Sequence, residues 1–223
     1  AEKAGIIKPG IPVVIGEAEG TVAEVFRKKA LESGAPIHFV DQEGAMPYPL
    51  DLSGPHQQRN ARTALAALDA LRKRGWAISD AHIAHGLAHV QATTGFTGRW
   101  QVIAHGPLTI ADIGHNVDGL RVVRTMIDRT PHQELHIVLG TVSDKDLAGM
   151  LDALPKEAVY YFCKADIPRG LEAGELHRLA QAHGLHGEAF PSVAAALAAA
   201  RKHAARNDLV LVTGSAFVVA EVV

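Results

Sequence analysis

The chain has 223 residues, 48% hydrophobic and 21% charged, a balance that suits one large or two modest globular domains and excludes disordered and fibrous classes. Its formal net charge of -2 at pH 7 offers no basic field, so neither nucleic acid nor an anionic membrane surface is expected as a partner.

The start, Ala1-Glu2-Lys3-Ala4-Gly5, has no initiator Met and no apolar signal core. It leads within a few residues into a strand at 11–16, which reads as a truncated or processed chain. Residues 21–33 follow as a helix with Val22, Val25 and Phe26 on one face, and 37–40 alternate as a second strand, so the opening is one βαβ-like unit. Residues 41–55 carry Gly44, Pro47, Pro49, Gly54 and Pro55 and form a loop. Ala61, Ala64, Leu65, Leu68 and Leu71 fall at helical spacing with Gly75 as the stop, and Ser79 caps a further helix bearing Ile83, Leu87 and Val90. The small, polar stretch Thr93 to Gly98 reads as a hinge, which puts the domain boundary at 94/95.

Beyond the hinge, short apolar runs at 102–103, 108–112, 135–139, 159–163 and 209–213 alternate with helical patterns near 117–129, 145–154, 172–183 and 192–206. Continuous apolar strands separated by helices predict an α/β domain with a mostly parallel sheet covered on both faces. Cys163, the single cysteine, closes one of these runs. Core packing is its expected role, and since no intrachain disulfide is possible a reducing compartment is the simpler expectation. No apolar stretch is long enough to span a bilayer, so a cytoplasmic location is expected.

Ligands of open parallel sheets bind beyond the carboxyl ends of the strands. Three such ends here are polar: Asp112-Ile113-Gly114-His115-Asn116, Gly140 to Asp146, and Gly214-Ser215. Taken singly, Asp112, Asn116, Asp144 and Ser215 read as helix caps. Taken together on three strand ends they point to a site.

The stretches Glu2-Lys3-Ala4-Gly5-Ile6-Ile7-Lys8, Gln57-Gln58-Arg59-Asn60-Ala61, Gly98-Arg99, Asp112 to Asn116, Asp144-Lys145-Asp146, Pro168-Arg169-Gly170 and Thr213-Gly214-Ser215 occur in this order in a known family. Through them the chain resembles the folylpolyglutamate and dihydrofolate synthases of the Mur ligase superfamily. The resemblance implies a remnant of the central ATPase-type domain at 1–94 and a Rossmann-like C-terminal ligase domain at 95–223. It also implies an enzyme that phosphorylates a folate carboxylate with ATP and lets the amine of L-glutamate displace the phosphate. Mg2+ is the implied cofactor, and a monomer is expected.

The resemblance assigns ATP binding to Asn60, Arg99 and Asp112 and glutamate binding to His115, Lys145 and Ser215. Lys3 and His115 stand as the catalytic pair, and Lys3 ligates metal only if carbamylated; at the chain end an unmodified Lys3 is expected. No Gly-x-x-x-x-Gly-Lys-Ser/Thr loop is present, so the chain alone is expected to be inactive. A noncatalytic nucleotide-binding α/β module and a Mur-type ligase acting on a cell-wall precursor remain as alternatives.

Two further features carry less. His82, His85 and His89 share one helical face at metal-ligand spacing, but no carboxylate shell stands nearby and no metal is expected there. Trp76 and Trp100, on either side of the hinge, read as packing anchors.

Overall fold

A computed structural model describes residues 2–143 and 146–223. The chain folds as two units, one running to Phe96 and one of Thr97–Val223, each with buried apolar clusters of its own.

The first unit begins with a short 3-10 helix, Glu2–Ile6, followed by β1 (Val13–Ile15), α1 (Gly20–Glu32) and β2 (Ile37–Phe39). β1 and β2 pair in parallel with Val13 opposite Ile37, so α1 is the crossover of a βαβ unit. The face of α1 differs from the one read in the sequence. Val22 and Val25 are 55% and 42% exposed, and Phe26 is half-buried. Ala23 and Ala30 are the buried positions, with Ala30 packed beside Ala4, Ile7 and Ala35. Small side chains let a helix approach its support closely, and the valine stripe beside them faces outward.

α2 (Pro55–Lys73) has proline at its start, where the missing N–H costs nothing, and Arg72 and Lys73 in its last turn, where cations suit the helix dipole. α3 (Asp80–Ala88) is capped by Ser79, whose Oγ accepts from the His82 N–H, while His82 Nδ1 accepts from the Ser79 N–H. The helix breaks at His89 and resumes as α4 (Val90–Thr94). The three histidines therefore have local roles: His82 closes the cap, and His85 and His89 stack at 4.5 Å. Trp76 is 63% exposed and is not the anchor expected.

The second unit is a six-stranded sheet in the order β3-β4-β8-β5-β6-β7, comprising β3 (Gln101–His105), β4 (Leu108–Ala111), β5 (Leu135–Leu139), β6 (Val159–Phe162), β7 (His186–Ala189) and β8 (Leu209–Thr213). Only β3 runs antiparallel to its neighbour. The helices between strands are α5 (Val117–Asp128), α6 (Leu147–Ala153), α7 (Ala173–Ala182), α8 (Val193–His203) and the closing α9 (Ala216–Ala220).

Side chains alternate across a strand, and that period sorts the core into two layers. Leu135, Ile137, Leu139, Leu209 and Leu211 meet Leu120 and Val123 of α5, Met150 and Leu151 of α6, and Leu176 of α7. Val138, Val210 and Val212 meet Val193, Ala196 and Ala200 of α8 and Val218 of α9. β5 and β8 are buried at every position, and each large apolar side chain fully buried there contributes roughly 1.5–3 kcal/mol. β7 was not anticipated: its residues His-Gly-Glu-Ala are mostly exposed on the sheet edge and carry no apolar signature. Among the described residues no helix is long and apolar enough to cross a membrane.

Cys163 is fully buried between the sheet and α8, and burial pushes its thiol up to about 12. The thiolate is the reactive form. At about pH 8, a disulfide reagent is therefore expected to leave Cys163 untouched in the native protein and to modify it fully once denaturant is added; rapid labelling of the native chain would contradict this burial.

Candidate functional site

β4, β8 and β5 are adjacent and parallel, so their carboxyl ends lie side by side. The antiparallel β3 begins at that same end, with Gln101 opposite Ala111. Topology alone thus brings Arg99, Asp112, His115 and Ser215 to one end of the sheet. Lys145, with Asp144, lies outside the described residues. Lys3 and Asn60 belong to the first unit.

Asp112 follows β4 and is 5% exposed. Its Oδ2 accepts from the Trp100 N–H and its Oδ1 from the Gly114 N–H, both at 2.8 Å. Trp100 sits at φ +45°, in the left-handed region that favours glycine, and half-buries its ring against the core. The carboxylate thereby holds the turn before β3 and the turn after β4 in one arrangement. Arg99, next to Trp100, is half-buried.

Gly114 carries the connection onward. Its carbonyl accepts from the Gly214 N–H at 3.1 Å and lies 3.4 Å from Thr213 Oγ1, while the Gly140 N–H reaches the Thr213 carbonyl at 3.4 Å. The three strand ends are stitched backbone to backbone, which leaves no room for side chains at the glycines.

His115 and Asn116 open α5. Asn116 Oδ1 accepts from the Gly119 N–H at 2.7 Å, a helix cap. His115 is exposed, and its Nδ1 lies 2.9 Å from the Ile113 carbonyl. A carbonyl only accepts, so Nδ1 carries the proton and Nε2 is the acceptor nitrogen of the neutral ring. His115 lines a hollow of about 380 Å³ with Asn116, Asp118, Asp146 and Met150. Asp146 caps α6 by accepting from the Gly149 N–H. Ser215 is buried, and its Oγ accepts from the Phe217 N–H at 3.2 Å, so the capping role is the one its contacts display.

Beyond β5, Ser143 N–H donates to the Arg169 carbonyl at 3.2 Å and Leu171 N–H to the Thr141 carbonyl at 3.0 Å. This pairing brings the Pro168-Arg169-Gly170 segment to the same sheet end, with the Arg169 guanidinium 4.8 Å over the Phe217 ring. Sequence reasoning finds the segment as a motif and assigns Arg169 no role; only its place in the motif could have signalled one.

In the first unit, Lys3 is exposed beside a hollow of about 630 Å³ that includes Glu2, Thr21, Val22, Val25 and Phe26. Asn60 lies exposed on α2, its Nδ2 donating to Gln57 Oε1 at 3.1 Å. Its neighbour Arg59 pairs with Glu17 at 2.7 Å and lines a larger hollow of about 890 Å³ at the carboxyl ends of β1 and β2.

The family described as "Mur ligase, glutamate ligase domain" matches residues 98–216. The chain is similar to the dihydrofolate synthase/folylpolyglutamate synthase of Escherichia coli, at 33% identity over 99% of this chain and 53% of that protein. Among solved structures it is similar to E. coli FolC in complex with DHPP and ADP, with a TM-score of 0.83 and 31% identity over 99% of this chain and 54% of that one. It is also similar to a bifunctional folylpolyglutamate synthase/dihydrofolate synthase with Mn, AMPPNP and L-glutamate bound, with a TM-score of 0.80 and 29% identity over 99% of this chain and 54% of that one. The chain spans about half the length of each of these relatives.

Proposed function

The chain belongs to the Mur ligase family through its glutamate ligase domain, and from that premise we propose that it serves the ATP-dependent joining of L-glutamate to a folate. The second unit is the Rossmann-like ligase domain in this reading, and the first is the last part of the central ATPase-type domain. The observation that carries it is the side-by-side position of the ends of β4, β8 and β5, which gathers Arg99, Asp112, His115 and Ser215.

In the reaction, a carboxylate oxygen of the folate attacks the γ-phosphorus of ATP and ADP leaves. The glutamate nitrogen then attacks the acyl carbon, loses its proton, and phosphate leaves as the amide forms. Charge stabilisation and positioning dominate such transfers. Arg99 would face phosphate oxygens and Asp112 the ribose hydroxyls, as their charges suit. Asn60, from the first unit, would add an amide to the adenosine. His115 would orient the amino acid through its acceptor nitrogen, with Lys145 on a glutamate carboxylate. Ser215 would act through the helix start it caps.

Magnesium is the metal this reading requires for the phosphoryl step. An unmodified Lys3 ammonium repels a divalent cation, and Glu2 is its immediate acidic neighbour in the chain; these residues fit magnesium only after carbamylation.

Made alone, the 223 residues are expected to release no phosphate from ATP with glutamate and a dihydropteroate or tetrahydrofolate substrate. Joined behind the N-terminal half of the E. coli relative, they are expected to restore glutamate-dependent phosphate release, and His115→Ala is expected to cut that rate by about 100-fold. A folded chimera inert toward both substrates, or one indifferent to His115→Ala, would overturn the respective assignment.

A further inference from the structure

At the end of the sheet opposite the strand-end site, Glu134 immediately precedes β5, His136 is the second residue of β5, and Asp208 immediately precedes β8. β5 and β8 are neighbours, with His136 opposite Val210 and the Leu209 N–H donating to the Glu134 carbonyl. One ligand atom from each of the three side chains lies within 4.8 Å of the other two. We propose that Glu134, His136 and Asp208 form a binding site for a divalent transition metal of the zinc class, clamping the starts of β5 and β8 together.

The imidazole is the decisive member. His136 is 3% exposed, and its Nε2 is buried without a hydrogen bond. The nearest acidic oxygen, Asp208 Oδ2, is 3.4 Å away, an ion-pair distance too long for a well-formed hydrogen bond. Its other nitrogen is engaged: Nδ1 is 3.1 Å from the Tyr161 hydroxyl, which is 3.2 Å from His203 Nδ1. With Nδ1 donating to the Tyr161 hydroxyl, and that hydroxyl donating to His203 Nδ1, the ring turns its Nε2 lone pair toward the carboxylates, the arrangement that orients metal-bound histidines.

Asp208 is equally fixed. It is 4% exposed, and its Oδ1 and Oδ2 accept from the backbone N–H groups of Glu134 at 3.1 Å and Ala205 at 2.6 Å. Burial works against its charge, but these donors and His136 outweigh it and hold the carboxyl below its usual range. Glu134 is exposed and supplies the open side through which an ion and a water enter. One imidazole with two carboxylates suits zinc, leaves a fourth position for water, and suits magnesium poorly.

The test uses the full 223-residue chain freed of metal with a chelator. Zn2+ is expected to be retained at one equivalent after gel filtration and to raise the melting temperature, whereas Mg2+ leaves it unchanged; Co2+ is expected to give the visible absorption of a tetrahedral site. Glu134→Gln, on the surface, is expected to weaken Zn2+ binding about tenfold or more, and His136→Gln to abolish it. If His136→Gln fails to fold, Glu134→Gln decides alone. No retained zinc, or an affinity unchanged in Glu134→Gln, would overturn the proposal and leave His136 and Asp208 as a buried polar contact between the two strands.

Discussion

Gly214→Ala is expected to destabilise the C-terminal unit by about 4 kcal/mol, a large loss for one added methyl group. Gly214 has φ +101°, which penalises a side chain by about 1–2 kcal/mol. An added Cβ would stand 2.5 Å from the Gly140 carbonyl oxygen and 2.8 Å from Leu139 Cδ1. Neither neighbour can withdraw cheaply, because one is backbone at the end of a central strand and the other is core. Overpacking of that kind costs roughly 1–3 kcal/mol. Against an ordinary total stability of about 5–15 kcal/mol, the loss is large enough to see as a lower urea midpoint. Gly174→Ala is the matched control: it lies in α7 with nothing within 4 Å of the added atom, so its midpoint is expected to stay level or rise. Equal midpoints for both variants would mean that the three strand ends are not packed as described.

The sequence announced what burial on both faces imposes and was silent on what backbone contacts arrange. β5 and β8 were legible to the residue as 135–139 and 209–213 because central parallel strands, buried on both faces, run almost continuously apolar. β7 was illegible for the opposite reason, since a polar edge strand joins the sheet through hydrogen bonds alone. The face of α1 misled because Val22 and Val25 outrank Ala23 and Ala30 in hydrophobicity, whereas close packing selects the smaller pair. Trp76 misled in the same way, bulk standing in for burial.

The candidate site divides similarly. Its location was readable, because polar residues after β4, β5 and β8 become neighbours in any sheet that orders those strands together. The internal wiring was not. Nothing in the sequence says that Asp112 reaches back to Trp100, that Gly114 serves both Thr213 and Gly214, or that the segment after Thr141 pairs with Pro168-Arg169-Gly170. These are contacts between residues far apart in the chain and close only after folding.

Asp112→Ala is expected to be as damaging as Gly214→Ala, and the companion Asp112→Asn separates the structural role of the carboxylate from a ligand-binding one. Alanine leaves the N–H groups of Trp100 and Gly114 without the carboxylate that accepts them. Hydrogen bonds to a charged group contribute about 1.5–3 kcal/mol each, so a loss of about 4 kcal/mol is expected after some relaxation. Trp100, at φ +45°, would lose the acceptor that holds it there. In a Trp76→Phe background, Trp100 fluorescence is expected to shift red and its unfolding midpoint to fall by more than about 10 °C. Asparagine keeps one oxygen acceptor, so roughly half of the stability should return. If the carboxylate also meets the ribose, the Asn variant in the active chimera will show a KM for ATP raised about tenfold with kcat little changed, the signature of lost uniform binding. A KM that recovers along with stability would reduce Asp112 to a bracket between two turns, and would move the nucleotide contact to Arg99.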